Sequence, residues 1–116
     1  MSITSFLKRL ATAPETIEFT DTMALIEAMY TFAPTAFHNG GLINDAGQNS
    51  GSCKLFAFAR LQRLTEQQTL ACFGHYYREH VLQNPDGDDH QNIRHFMQTG
   101  WAGIRFDGSP LSPINP

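Results

Sequence analysis

Ser52-Cys53-Lys54-Leu55-Phe56-Ala57-Phe58-Ala59-Arg60-Leu61 is apolar on nearly every side of a helical wheel, and it follows Asn44-Asp45-Ala46-Gly47-Gln48-Asn49-Ser50-Gly51, a run of turn formers. A helix without a polar face has to be enclosed by the rest of its domain, so this segment reads as the central helix, with Ser52 at its cap. On its C-terminal side, Thr65 and Gln68 form a capping box, and a helix to about Leu82 sets Leu70, Phe73, Tyr77 and Val81 in one stripe. Asn84-Pro85-Asp86-Gly87 fits a type I turn. Asp88 or Asp89 is expected to cap a helix to about Thr99 with Ile93, Phe96 and Met97 inward, closed by Gly100. Trp101 to Phe106 reads as a strand, and residues 109–116 as an irregular tail.

On its N-terminal side, residues 39–52 read as a loop, and Thr31 to Asn39 as an extended segment whose Pro34 suits a sheet edge. Thr20 or Asp21 would cap a helix over 22–30 with Met23, Ile26 and Tyr30 inward. Residues 16–19 connect it to an amphipathic helix over 4–12, built on Phe6, Leu7 and Leu10. The expected fold is α+β: one helix-dominated domain over 1–116, with about five helices and a small β-sheet.

The chain has 116 residues, a net charge of −3 and 41% hydrophobic residues, which is enough for one unstapled core. No basic footprint argues for nucleic acid. The longest mainly apolar stretch, Leu55 to Leu64, carries Arg60 and Arg63 and falls far short of the about 20 residues that cross a bilayer, so no membrane span is expected. The N-terminus lacks the apolar run of a cleaved signal peptide. Cys53 and Cys72 are not in CxxC spacing, which makes a reducing compartment the expectation.

Several separate blocks carry a resemblance. They are Thr35-Ala36-Phe37 with Asn39-Gly40, then Gly51-Ser52-Cys53-Lys54, Ala71-Cys72-Phe73-Gly74 with Tyr76-Tyr77-Arg78, Asn84-Pro85-Asp86-Gly87, Asp89-His90-Gln91-Asn92-Ile93-Arg94, and Gly100-Trp101-Ala102-Gly103. In this order they resemble the HopJ type III effector family over nearly the whole chain. The resemblance implies a virulence-associated bacterial protein, made in the cytoplasm and exported into a host cell, with a secretion region within residues 1–15. It implies no defined biochemical activity. A housekeeping role in the bacterial cytoplasm, without export, is the plainer alternative.

Two polar segments carry the candidate chemistry. Residues 39–54 end at a helix N-terminus, where free N–H groups and the helix dipole favour an anion, with Ser52 and Lys54 adding a hydroxyl and a charge. The spacing of Gly47 and Gly51 is not that of a Walker A loop. Residues 84–94 bring Asp89, His90, Asn92 and Arg94 together. The expected ligand-binding set is Asn39, Asn49, Ser52, Lys54, His90, Asn92, Arg94 and Trp101, serving a small anionic ligand or a host protein.

The enzymatic alternative is a cytoplasmic hydrolase or transferase with Cys53 as thiolate nucleophile in the first helical turn and His90 as base. Whether the protein is an enzyme stays open at this point. Cys72, His75 and Glu79 share one face of an α-helix, which reads as a solvated face. His75 and His80, like His90 and His95, are five residues apart, about 140° on an α-helix, which denies them a common side. The segment 86–97 fails as an EF-hand loop. No metal centre and no cofactor is expected.

Overall fold

The helix expected at the centre is at the centre. In the computed structural model, which describes residues 2–114, α3 (Ser50–Leu61) has Leu55, Phe56, Phe58 and Ala59 fully buried. Phe56 is ringed by Phe37, Phe73, Phe96 and Trp101, at centroid distances of 6.2, 5.5, 4.9 and 6.5 Å. Phe58, on another side of α3, meets the edges of Phe6 and Tyr30 at 5.8 and 6.1 Å. Each such ring contributes about 1.5–3 kcal/mol by leaving water, so elements from both ends of the chain are held to one helix.

α1 (Ile3–Thr12) opens on a capping box between Ser2 and Ser5 and buries Phe6 and Leu10. A short turn, Pro14–Thr16, leads to α2 (Phe19–Met29). α2 starts at Phe19 rather than at 22, because Glu18 is the cap residue and Asp21 accepts the Glu18 N–H at 2.9 Å. The single extended segment expected over 31–39 is two strands, β1 (Tyr30–Phe32) and β2 (Phe37–Asn39). Pro34 lies in the gap between them, where its missing N–H costs nothing.

The expected loop over 39–52 is partly a hairpin. β2 turns through Gly40, whose φ of 62° favours glycine, into β3 (Leu42–Asn44), with Asn39 opposite Leu42. β4 (Ile104–Phe106) joins β2 on its other side, giving an antiparallel sheet of order β3-β2-β4. β5 (Leu111–Pro113) pairs antiparallel with β1 in a second, two-stranded sheet. A strand therefore lies within the tail expected to be irregular, and residues 115–116 lie outside the described residues. The architecture is the expected α+β domain, with two small sheets in place of one.

The long helix expected over 65–82 is broken. α4 (Glu66–Ala71) ends in a turn at Cys72–Gly74, and the chain resumes as a π-helix, Tyr76–Val81. Gly74 has φ 63°, and a Cβ there would stand 2.5 to 2.7 Å from atoms of Glu18 and Phe19. The break thus comes from the close approach of this turn to the start of α2. α5 (Gln91–Thr99) follows, with His90 rather than Asp88 or Asp89 in the cap position and Met97 44% exposed rather than inward. The strand expected from Trp101 begins only at Ile104, since Gly100–Gly103 form a 3-10 turn.

Candidate functional site

Two helices begin at the same hollow. Asn49, in the cap position of α3, and His90, in that of α5, are both left-handed, with φ of 51° and 50°, and neither side chain caps its own helix. The Asn49 amide donates to Asn44 Oδ1 at 2.7 Å, and the His90 ring meets His80 at 3.0 Å. No side chain of the cap residue therefore occupies the first-turn N–H groups of either helix, where a partial positive charge accumulates. Between the two starts lies a recess of about 480 Å³. Asn49, Gly51 and Ser52 line it from one segment, and His90, Gln91, Asn92 and Ile93 from the other. Phe19, Leu42, Phe73 and Tyr76 give it an apolar wall.

Behind the recess, buried asparagines lock the two segments together. Asn92 Nδ2 donates to Asn44 Oδ1 at 3.0 Å, and Asn44 Nδ2 returns a bond to Asn92 Oδ1 at 3.2 Å. Asn39 Nδ2 donates to the Asn92 carbonyl at 2.8 Å and to its Oδ1 at 3.0 Å. Asn39, Asn44 and Asn92 are all nearly or fully buried, so a hydrogen-bonding network of this kind is what makes their burial tolerable. Asn39 Oδ1 is the one buried side-chain polar atom without a partner among the described residues.

Through His90, one edge of the recess adjoins a histidine cluster. His80 Nδ1 and His90 Nε2 are 3.0 Å apart with their rings nearly stacked, and Tyr76 packs on the His90 ring at 5.1 Å. His75 stands 5.3 Å from His80, ring to ring, and is fastened to Glu18 Oε1 at 3.0 Å. The π-helix explains this meeting: its i→i+5 hydrogen bonds put residues five apart one turn above another, where an α-helix would splay them. Desolvation lowers the pKa of His90, opposed by the charge of Asp89 and aided by His80, Arg94 and His75. The hydrogen bonds from His75 hold Glu18 below the ordinary carboxylate range, against a desolvation effect, with Arg78 and His75 charges adding.

Of the expected ligand-binding set, the recess gathers Asn49, Ser52, His90 and Asn92. Asn39 sits behind it in the network. Lys54 turns elsewhere, to Glu27 at 3.5 Å and over the Phe32 ring at 5.0 Å. Arg94 holds the preceding loop, donating to the carbonyls of Asp89 and Asn84 at 2.6 and 3.0 Å and to Asp89 Oδ1 at 2.5 Å. Trp101 is a packing anchor whose Nε1 donates to the Leu64 carbonyl at 3.0 Å. Cys53 is 1% exposed, and burial pushes its thiol up to about 11, only partly offset by its contact with the Thr35 carbonyl. Ser52 is not a cap, since the helix starts two residues earlier.

Phe19, Phe73, Tyr76, His80 and Asn44 belong to the surroundings of this hollow and were not legible as such. Phe73 reads as part of a helical stripe, Phe19 as connector and Tyr76 only as part of a resemblance block, and His80 needed the π-turn. The trio Cys72, His75 and Glu79 does not act together: Cys72 is fully buried with its thiol pushed up to about 12 by desolvation, whereas His75 faces Glu18.

The family model described as HopJ type III effector protein matches residues 3–111. A solved crystal structure described as an unknown function protein, VPA0580, is 56% identical, with a TM-score of 0.96, covering 97% of this chain and 94% of that one. No match was found among curated proteins. No helix among the described residues is long and apolar enough to cross a membrane.

Proposed function

We propose, from the premise that this chain belongs to the HopJ type III effector family, that it is an effector-like protein acting by binding. Its recess takes a small ligand with an anionic group, a phosphate or carboxylate, on an apolar body. One observation carries this: segments 39–54 and 84–94, far apart in sequence, each contribute a helix N-terminus to a single hollow. The backbone N–H groups there suit an anion, and Phe19, Phe73 and Tyr76 suit the less polar remainder of the molecule. The hydrolase reading built on Cys53 has less support, since that thiol is core-facing and held protonated.

The family description also supports a bacterial protein that passes from the cytoplasm into a host cell by type III secretion, with residues 1–15 in the secretion region. A translocation reporter fused after residue 15 tests that part; failure of the reporter to leave a secreting strain refutes it.

The binding reading is tested by thermal denaturation with inorganic phosphate and a panel of small aromatic and aliphatic carboxylates and phosphates. A ligand that binds only the folded state raises its stability, by about 2.7 kcal/mol at one hundred times Kd. Ser52→Glu should abolish the shift by placing a like charge in the recess, while the acid at a helix start leaves the fold intact. A panel without any shift, or a shift that survives Ser52→Glu, refutes the anion site. A host protein captured through 84–94 with no small-molecule shift would replace it.

A further inference from the structure

We propose that His80, Asp89 and His90 form a binding site for a divalent transition-metal ion of the zinc class. Their donor atoms, one from each side chain, all lie within 4.8 Å of one another. His80 Nδ1 and His90 Nε2 are 3.0 Å apart, and Asp89 Oδ2 is 4.0 Å from His90 Nε2. Ligands at about 2.0–2.2 Å from a tetrahedral ion stand roughly 3.3–3.6 Å apart. The first separation is short of that and the second long, and the third, between His80 and Asp89, is within 4.8 Å, so side-chain shifts of up to about an ångström seat the ion.

Two imidazole nitrogens at 3.0 Å can coexist only with a proton between them, because two lone pairs repel. In a metal complex that proton moves to the far nitrogen of its own ring, a change of tautomer that turns both lone pairs to the ion. Two imidazoles with one carboxylate is a donor set for zinc and its neighbours rather than for magnesium or calcium, which select oxygen.

The outer contacts are those of a held site. Arg94 Nη2 grips Asp89 Oδ1 at 2.5 Å, which leaves Oδ2 as the oxygen turned to His90. Tyr76 packs against both the His90 and His80 rings, at 5.1 and 5.5 Å. The ligands come from two elements, the π-helix and the start of α5, so an ion would cross-link them. His90 also lines the recess, which leaves the fourth tetrahedral position for water or an anion. The site stands whether or not the recess takes an anion of its own accord, since its test uses the metal alone.

The test is calorimetric titration of untagged protein with Zn²⁺ in a non-chelating buffer, with Co²⁺ as a spectroscopic probe and NMR to locate the ion. The expected result is one ion per chain and amide shifts centred on residues 80 and 89–90. His80→Ala and His90→Ala should each weaken binding at least tenfold, and His95→Ala should leave it unchanged. If an alanine variant loses its fold, the NMR map of the wild-type chain decides alone. Absence of saturable one-to-one binding, binding undiminished in the double variant, or shifts centred on His38 or His75 would overturn the proposal.

Discussion

The amides of Asn44 and Asn92 are paired reciprocally, each donating its Nδ2 to the other's Oδ1, at 3.2 and 3.0 Å. Asn44 ends a strand of the hairpin, and Asn92 lies in the first turn of α5, so the pair joins the two segments that face the recess. Truncating either leaves a buried amide without its partner, which costs about 1–3 kcal/mol. Asn44→Ala and Asn92→Ala should each lower stability by that amount in urea unfolding. The double variant should lose less than the sum of the two, since both changes remove the same bonds. Strict additivity would show that the amides act separately.

Gly74 and Gly41 should respond oppositely to alanine. At Gly74 the positive φ and the approach of Glu18 and Phe19 leave no room for a methyl group, whereas nothing lies within 4 Å of a Cβ at Gly41. Gly74→Ala should cost well over about 1 kcal/mol, and Gly41→Ala should stay within about 0.5 kcal/mol of the parent. Equal melting temperatures for the two would contradict the packing described.

Alkaline pH should destabilise the protein through its thiols. The folded pKa values, about 11 for Cys53 and about 12 for Cys72, lie above the ordinary 9.0. A pKa raised by folding gives stability that is complete below the unfolded value and is lost as pH rises toward the folded one. The loss should run from about pH 9 to pH 12. Replacing both cysteines with alanine should flatten this part of the stability profile. At pH 8 both thiols should also resist iodoacetamide until the chain is unfolded; rapid labelling of native protein would count against their burial.

Lys54 should be dispensable to the recess. Its ammonium pairs with Glu27, whose side chain is 62% exposed, and sits over Phe32. Lys54→Met should cost less than about 1 kcal/mol and leave any phosphate-induced thermal shift unchanged. A lost shift would bring Lys54 back into the binding set.

Much of this was legible in the sequence. The apolar run from Cys53 to Leu61 announces a buried helix because no face of it can meet water, and Thr65 with Gln68 makes the expected reciprocal cap, at 3.1 and 3.0 Å. The convergence of segments 39–54 and 84–94 was only a conjecture from composition, since contacts between distant segments leave no periodic trace. Asn49 and His90 could not be read as cap positions, because capping rules assume an extended residue whose side chain serves its own helix. β5 was missed for a related reason: its partner β1 lies some eighty residues away, and Pro110 and Pro113 read as loop. The histidine pair was missed because α-helical geometry was assumed where the backbone is wider.

That wider turn has a genetic consequence. A π-turn carries one residue more than the α-turn it replaces, so losing a single codon between Tyr76 and Val81 would let this stretch rewind as ordinary helix. With one of residues 77–79 lost, His75 and His80 would stand four apart, about 40° round an α-helix, so their shared side and the apolar contacts on either side would persist. Relatives one residue shorter at this point should therefore keep both the architecture and the paired imidazoles on an unbroken α-helix, so that the extra residue here is a length the fold absorbs.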